Sequence, residues 1–242
     1  MTTLTKIIIS ILLGFLVTSC NMDFRIGQGV IGNGNVITKE RSVEGSFNAI
    51  QASSGIDLYL TQGNSTSVIV EADENLHDII ITEVENNTLK VYLDENVKRS
   101  KSQKVMLTFK DVSSIKSTSG SDVYSTNTIK TKTLNLKSTS GSDLELSVNA
   151  ETIDCKSTSG SDMKLSGTVD YLIAEATSGS DIKAGDLKAM SSKVKATSGA
   201  DITVNTSKEL VAKATSGGDV KYYGNPEKVE KTDGVSGSIS KR

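Results

Sequence analysis

Through the second half of the chain, hydrophobic and polar residues alternate in short runs, and one four-residue signature interrupts them at nearly even distance. Before each interruption stand Leu134 and Leu136, Ile153 and Cys155, Leu172 and Ala174, Val194 and Ala196, and Leu210 and Ala212. After it stand Leu144 and Leu146, Met163 and Leu165, Ile182 and Ala184, Ile202 and Val204, and Val220 and Tyr222. A period of two places one set of side chains on one face of a β-strand, so two short strands are expected to flank every interruption. The signature is Ser-Gly-x-Asp, ending at Asp122, Asp143, Asp162, Asp181, Asp201 and Asp219, and its glycines lie 21, 19, 19, 20 and 18 residues apart. A repeat of that length is one solenoid coil, which cannot bury its apolar face alone but can do so in a stack. The pattern therefore predicts an all-β, parallel, right-handed β-helix of ~20-residue, three-sided coils with Ser-Gly-x-Asp corners.

The corner chemistry agrees. Glycine accepts the positive φ of a sharp turn, while Ser and Asp can hydrogen-bond their own backbone. Two residues before each corner Ser the inward position is small: Ser117, Ser138, Ser157, Ala176, Ala196 and Ala214. The threonines that follow, Thr118, Thr139, Thr158, Thr177, Thr197 and Thr215, should form an outward column at the roughly 4.8 Å strand spacing.

Upstream the strand signal is less regular, in Phe47-Asn48-Ala49-Ile50, Ile56-Asp57-Leu58-Tyr59-Leu60, Val68-Ile69-Val70 and Leu89-Lys90-Val91-Tyr92-Leu93, with Ser54-Gly55-Ile56-Asp57 as a degenerate corner. Residues 74–78 suit one helical turn, which leaves His77 as a surface residue of a loop. A single solenoid domain is thus expected over 43–242: an irregular part at 43–112, regular repeats at 113–223 and a C-terminal cap at 224–242. In that cap Tyr222, Tyr223, Pro226 and nearby charges would cover the open edge of the last coil. Gly237, 20 residues after Gly217, leaves room for a partial final coil.

The N-terminus changes the picture of where this domain works. One Lys precedes an apolar run from Ile7 to Val17, and the run closes on Thr18-Ser19-Cys20. That is the layout of an export signal, too short for the roughly 20 residues of a membrane-spanning helix. The ending resembles a bacterial lipobox, so residues 1–19 are expected to be removed and the Cys20 thiol to receive diacylglycerol. Several acyl chains, palmitate among them, hold a protein firmly at a bilayer. Residues 20–42, Gly-rich around Ile26 to Gly34, read as anchor and flexible tether. The expected location is the envelope of a Gram-negative bacterium, at the outer membrane.

Cys155 then has no cysteine partner and reads as a small buried apolar residue. A net charge of −2 gives no electrostatic case for nucleic acid. With no Trp, 4% aromatic residues and one His, the equipment for stacking on sugars or building a His-based site is thin, and no cofactor is implied.

The run Gly32-Asn33-Gly34-Asn35, then Phe47-Asn48-Ala49-Ile50, residues 54–63, Val70-Glu71-Ala72-Asp73-Glu74-Asn75-Leu76 and the Ser-Gly-Ser-Asp repeats resemble the head GIN domain family over residues 32–222. Members of that family look like lipoproteins built as β-helical stacks and are labelled autotransporter adhesins. The resemblance implies the fold and an adhesive role, and it brings no catalytic residues.

The one constellation that could carry chemistry is the column of six aspartates, Asp122, Asp143, Asp162, Asp181, Asp201 and Asp219. At ~4.8 Å adjacent carboxylates repel by about 0.9 kcal/mol in water and ~3.5 kcal/mol at an effective dielectric of 20. Two lysine-rich columns offer relief, Lys116, Lys137, Lys156, Lys195 and Lys213 before the corner and Lys164, Lys183 and Lys221 after it. The competing reading is a row of weak calcium sites, since hard cations take carboxylate oxygens. A catalytic site should break the repeat, and Glu175, alone in the outward lysine column, is the one candidate, which ordinary drift on a solvated face explains better. Two functions remain: a non-catalytic envelope module presenting its columns to a polysaccharide or protein partner, and a glycan-active β-helix enzyme with paired carboxylates in a groove.

Overall fold

The computed structural model describes residues 29–242, so the segment read as an export signal and Cys20 lie outside it. The repeats form long parallel strands that run almost from corner to corner: Asp143–Thr158, Asp162–Thr177, Asp181–Thr197 and Asp201–Thr215. Each lies beside the next in the register that the signature predicts, with Asp143, Asp162, Asp181, Asp201 and Asp219 side by side and Thr158, Thr177, Thr197 and Thr215 likewise. This is the expected parallel β-solenoid, with about seven coils some 19 residues apart. Its core is the inward row of every coil, such as Leu144, Leu146, Val148, Ile153 and Cys155, all buried. The strict alternation slips by one residue between buried Ala150 and Ile153, where Glu151 and Thr152 both face outward and the coil turns softly. Gly167 bends the next coil at φ +111°, and a Cβ there would sit 2.0 Å from Val148 O.

The sharp corner rests on two consecutive left-handed residues. Ser159 and Gly160 have φ +59° and +67°, and the other repeats match them, as does Ser54-Gly55 at φ +63° and +75°. Two positive φ values in succession are those of a type I′ turn. The Ser half costs strain that glycine would avoid, and backbone bonds between coils hold it in place: Gly141 N–H donates to Ser159 O, Gly160 to Ser178 O and Gly179 to Ser198 O, at 3.1–3.2 Å.

The variable residue of the signature points inward. Ser121, Ser142, Ser161 and Ser180 are fully buried, as is Ala200. Ser157 Oγ donates to Ser161 O at 2.8 Å and lies 2.8 Å from Ser161 Oγ, which in turn donates to Thr158 O at 2.8 Å and accepts from Thr158 N–H at 3.2 Å. Ser117/Ser121 and Ser138/Ser142 repeat the arrangement. This is why the inward position before each corner is small: it shares its space with a second inward side chain.

Both ends depart from the sequence expectation. The segment read as the end of a tether is fastened to the domain, Val30–Ile31 pairing in parallel with Val97–Arg99, and Val36–Arg41 antiparallel with Ser67–Asp73. The buried Asp73 carboxylate accepts from Gly34 N–H at 2.9 Å, Lys101 N–H at 3.1 Å and Ser102 N–H at 3.2 Å. Gly32 passes so close that a Cβ would fall 2.0 Å from Asp73 Oδ2, so its glycine marks contact and not freedom.

Antiparallel pairs, Ser67–Asp73 with Gln103–Phe109 and Ile80–Glu85 with Thr88–Leu93, close this end of the parallel stack. His77 lies beneath them, 1% exposed, with Nε2 3.1 Å from Ile37 O, and Arg41 donates to its carbonyl. The surface placement expected for His77 is thus wrong, because the strand Val36–Arg41 that covers it was read as tether. At the other end Lys228–Asp233 and Ser238–Lys241 pair with Asp201–Thr215 and Asp219–Tyr223, which makes the expected cap a further coil. Its outer edge is charged, the composition that discourages edge-to-edge aggregation.

Candidate functional site

The six corner aspartates do form one column, and Asp57 of the degenerate corner extends it at Asp122. Lys104 ends the column beside Asp57. Burial raises the Asp57 carboxyl above its ordinary range against the pull of Lys104, and burial with the neighbouring charges of Asp143 and Asp57 does the same to Asp122. Further along the column, relief comes from the lysines after the corner: Lys183 reaches Asp162 at 2.8 Å and Asp181 at 3.6 Å, and Lys221 reaches Asp201 at 3.6 Å. Lys164 turns instead to Glu145 at 2.8 Å. The lysines before the corner serve their own column, where Glu175 bridges Lys156 at 3.0 Å and Lys195 at 2.7 Å. Those two cations hold the Glu175 carboxyl below its usual range, which accounts for the acid in that column without catalysis. Among the described residues no three acidic, His or Cys side chains gather as a metal site would require.

A concavity lies on another face, a groove of about 680 Å³. One row is Lys130, Asn149, Thr168, Lys188 and Asn205, neighbours in register on five successive coils. Glu151, Asp170 and Met190 form the opposite row, with buried Ala150, Val169 and Ala189 as the floor between them. Four steps at the strand spacing make it about 19 Å long. Small floor residues create the depression, and the soft turn after each floor residue raises its second wall. None of these residues stands out in sequence; the signal was that this outward row changes identity from coil to coil while the Thr and Asp columns do not.

Residues 46–226 match the family model described as "Putative auto-transporter adhesin, head GIN domain". The chain belongs to the head GIN domain family. This GIN domain is also similar to a "putative adhesin" from Bacteroides fragilis, at 25% identity and TM-score 0.81, over 88% of this chain and 100% of that one. A "putative lipid binding protein" from Parabacteroides distasonis shares the fold at 23% identity and TM-score 0.73, over 89% and 100% of the two chains. A further "putative adhesin", from Parabacteroides merdae, does so at 19% identity and TM-score 0.72, over 88% and 99%. No curated protein matches.

Proposed function

We propose that this GIN domain protein is a non-catalytic binding module of the cell envelope, held at the outer membrane by lipid on Cys20, which takes an extended polymer along the five-coil groove. The observation that carries the reading is the groove itself: polar, linear and parallel to the stack, over a floor of small apolar side chains. Clefts of that volume with a few convergent polar groups are the usual form of a ligand site. The family's adhesin description supports a binding role. The full chain in a zwitterionic detergent, applied to a glycan array and to envelope extracts, should retain a polymer or protein that an Asn149→Tyr/Thr168→Tyr variant, its groove blocked, does not. Equal retention by the two proteins would refute the groove as the site. The anchor is tested separately by labelled fatty acid, which Cys20→Ala should fail to incorporate.

One observation favours a second reading. Glu151 and Asp170 lie on successive coils in the same groove, and paired carboxylates are what glycoside hydrolysis uses. New reducing ends in retained polysaccharide, lost in Glu151→Gln and Asp170→Asn, would establish the enzyme.

A further inference from the structure

The regular repeat is interrupted at the strand Asp181–Thr197, of 17 residues, lying against Asp201–Thr215, of 15. Between the pairs Ala184↔Val204 and Lys188↔Asn205 the longer strand carries Gly185, Asp186 and Leu187 with no partner across from them. Leu187 is buried, while Gly185 and Asp186 in succession face outward. Such bulges re-aim side chains and cluster beside functional sites.

Here the bulge floors a second cleft, of about 420 Å³, lined by Lys164, Lys183, Asp186, Thr203, Asn205 and Tyr223 around Gly185. Tyr223 is 42% exposed in a chain with few aromatic residues. It pairs with Asn205, yet its ring reaches past that coil to the bulge: a Cβ on Gly185 would lie 3.4 Å from Tyr223 Cε2 and 3.4 Å from Thr203 Cγ2. The Cδ2–Cε2 edge of the ring therefore lies beside Gly185, with much of the side chain open to solvent. Asn205, steadied by donating to Gly185 O at 3.3 Å, lines both this cleft and the groove, so the two adjoin.

We infer that Tyr223 is the stacking platform for one uncharged sugar ring of a glycan, the ring's hydroxyls being read by Asp186, Thr203 and Asn205 in this cleft. The inference rests on the groove reading for the rest of the polymer. An aromatic ring offers an apolar face to the C–H face of a sugar, and the side chains around it supply hydroxyl acceptors and donors. That this one ring is uncharged follows from the lysines of the cleft: Lys164 is paired with Glu145 at 2.8 Å and Lys183 with Asp162 at 2.8 Å, so neither offers a free cation to a uronate or sulfate there.

The full chain in zwitterionic detergent is titrated with hexasaccharides of glucose, mannose, galactose and N-acetylglucosamine, and with oligogalacturonate. Tyrosine fluorescence is the readout, uncomplicated because the chain has no Trp. At least one neutral hexasaccharide should saturate the signal, Tyr223→Ala should weaken its binding at least tenfold, and Tyr223→Phe should keep it within about threefold. Calorimetry supplies the affinity of the two variants, whose tyrosine signal is altered, and an unchanged melting temperature shows that they are folded. Neutral binding that Tyr223→Ala leaves intact but Asn149→Tyr/Thr168→Tyr abolishes overturns the inference while the groove reading stands. Binding of oligogalacturonate alone, or of no saccharide at millimolar concentration, overturns it as well; in the latter case the groove reading survives only for a protein ligand.

Discussion

Replacing Ser161 by Ala removes one oxygen from the inside of a central corner and tests how these corners are held. That oxygen donates to Thr158 O, accepts from Thr158 N–H and lies 2.8 Å from Ser157 Oγ, whose proton goes to Ser161 O. A neutral hydrogen bond contributes ~0.5–1.5 kcal/mol net, and a buried donor left without its acceptor costs more. Thr158 is half-buried, so water can replace part of the loss. The expected destabilisation is about 2 kcal/mol, a fall in melting temperature of ~4–8 °C for a domain of this size.

Ser157→Ala should cost less, since only its bond to Ser161 O is lost. The double variant recreates the pair Ala196 and Ala200, which the chain already buries at an equivalent corner, so its cost should fall short of the sum of the singles. Coupling in such pairs is about 0.5–3 kcal/mol. Urea unfolding followed by circular dichroism, with an unchanged m value, measures all three. A Ser161→Ala protein within ~0.5 kcal/mol of the parent, or strictly additive singles, would refute the hydrogen-bonded corner.

Burial pushes the Asp73 carboxyl up, but the backbone N–H groups of Gly34, Lys101 and Ser102, with the Lys101 charge, outweigh it and hold the group below its usual range. A depressed pKa in the folded state gives stability that is present above the unfolded value of about 3.9 and lost as pH falls through the folded one. Asp73→Asn should therefore lower the urea midpoint at pH 7, with the gap closing below about pH 4; a gap constant with pH would contradict the clamp. For the corner column, calcium should raise the melting temperature no more than sodium at matched ionic strength, and Asn at Asp143, Asp162 and Asp181 should change stability by less than ~1 kcal/mol, as exposed ion pairs contribute little. A calcium-specific rise that the triple variant abolishes would turn the column into a cation site. Gly160→Ala meets no atom within 4 Å and should cost only the ~1–2 kcal/mol of a left-handed alanine, whereas Gly167→Ala drives a Cβ to 2.0 Å from Val148 O and should cost clearly more. Equal urea midpoints for those two variants would count against the placement of Gly167.

The glycine spacing made the coils, their register and the identity of their inward rows readable before any coordinates, because a repeat states each fact several times. The parts that stayed hidden depend on single, distant partners. Gly32 and Gly34 look like a linker until Asp73 is placed beside them, and His77 is buried only because Val36–Arg41 crosses it. The inward third corner residue could have been read from its own column, Ser, Ser, Ser, Ser, Ala, Gly, whose small size has no meaning on an exposed turn. The unequal spacings of 20 and 18 residues around Gly199 already marked the bulge beneath Tyr223, while the groove needed the stacking of floor residues that no one coil reveals.

A chain proposed to be tied to a membrane at Cys20 and to a polymer along its flank is a mechanical link, and tension enters the described domain at residue 29. The first bonds in its path are not those of the solenoid. They are the short pairing of Val30–Ile31, the grip of Asp73 on Gly34 and the six-residue pairing of Val36–Arg41 with Ser67–Asp73. Load applied at that end meets this fastening first, and the dozen or so residues it holds are the slack that would be released ahead of the coils that carry the groove.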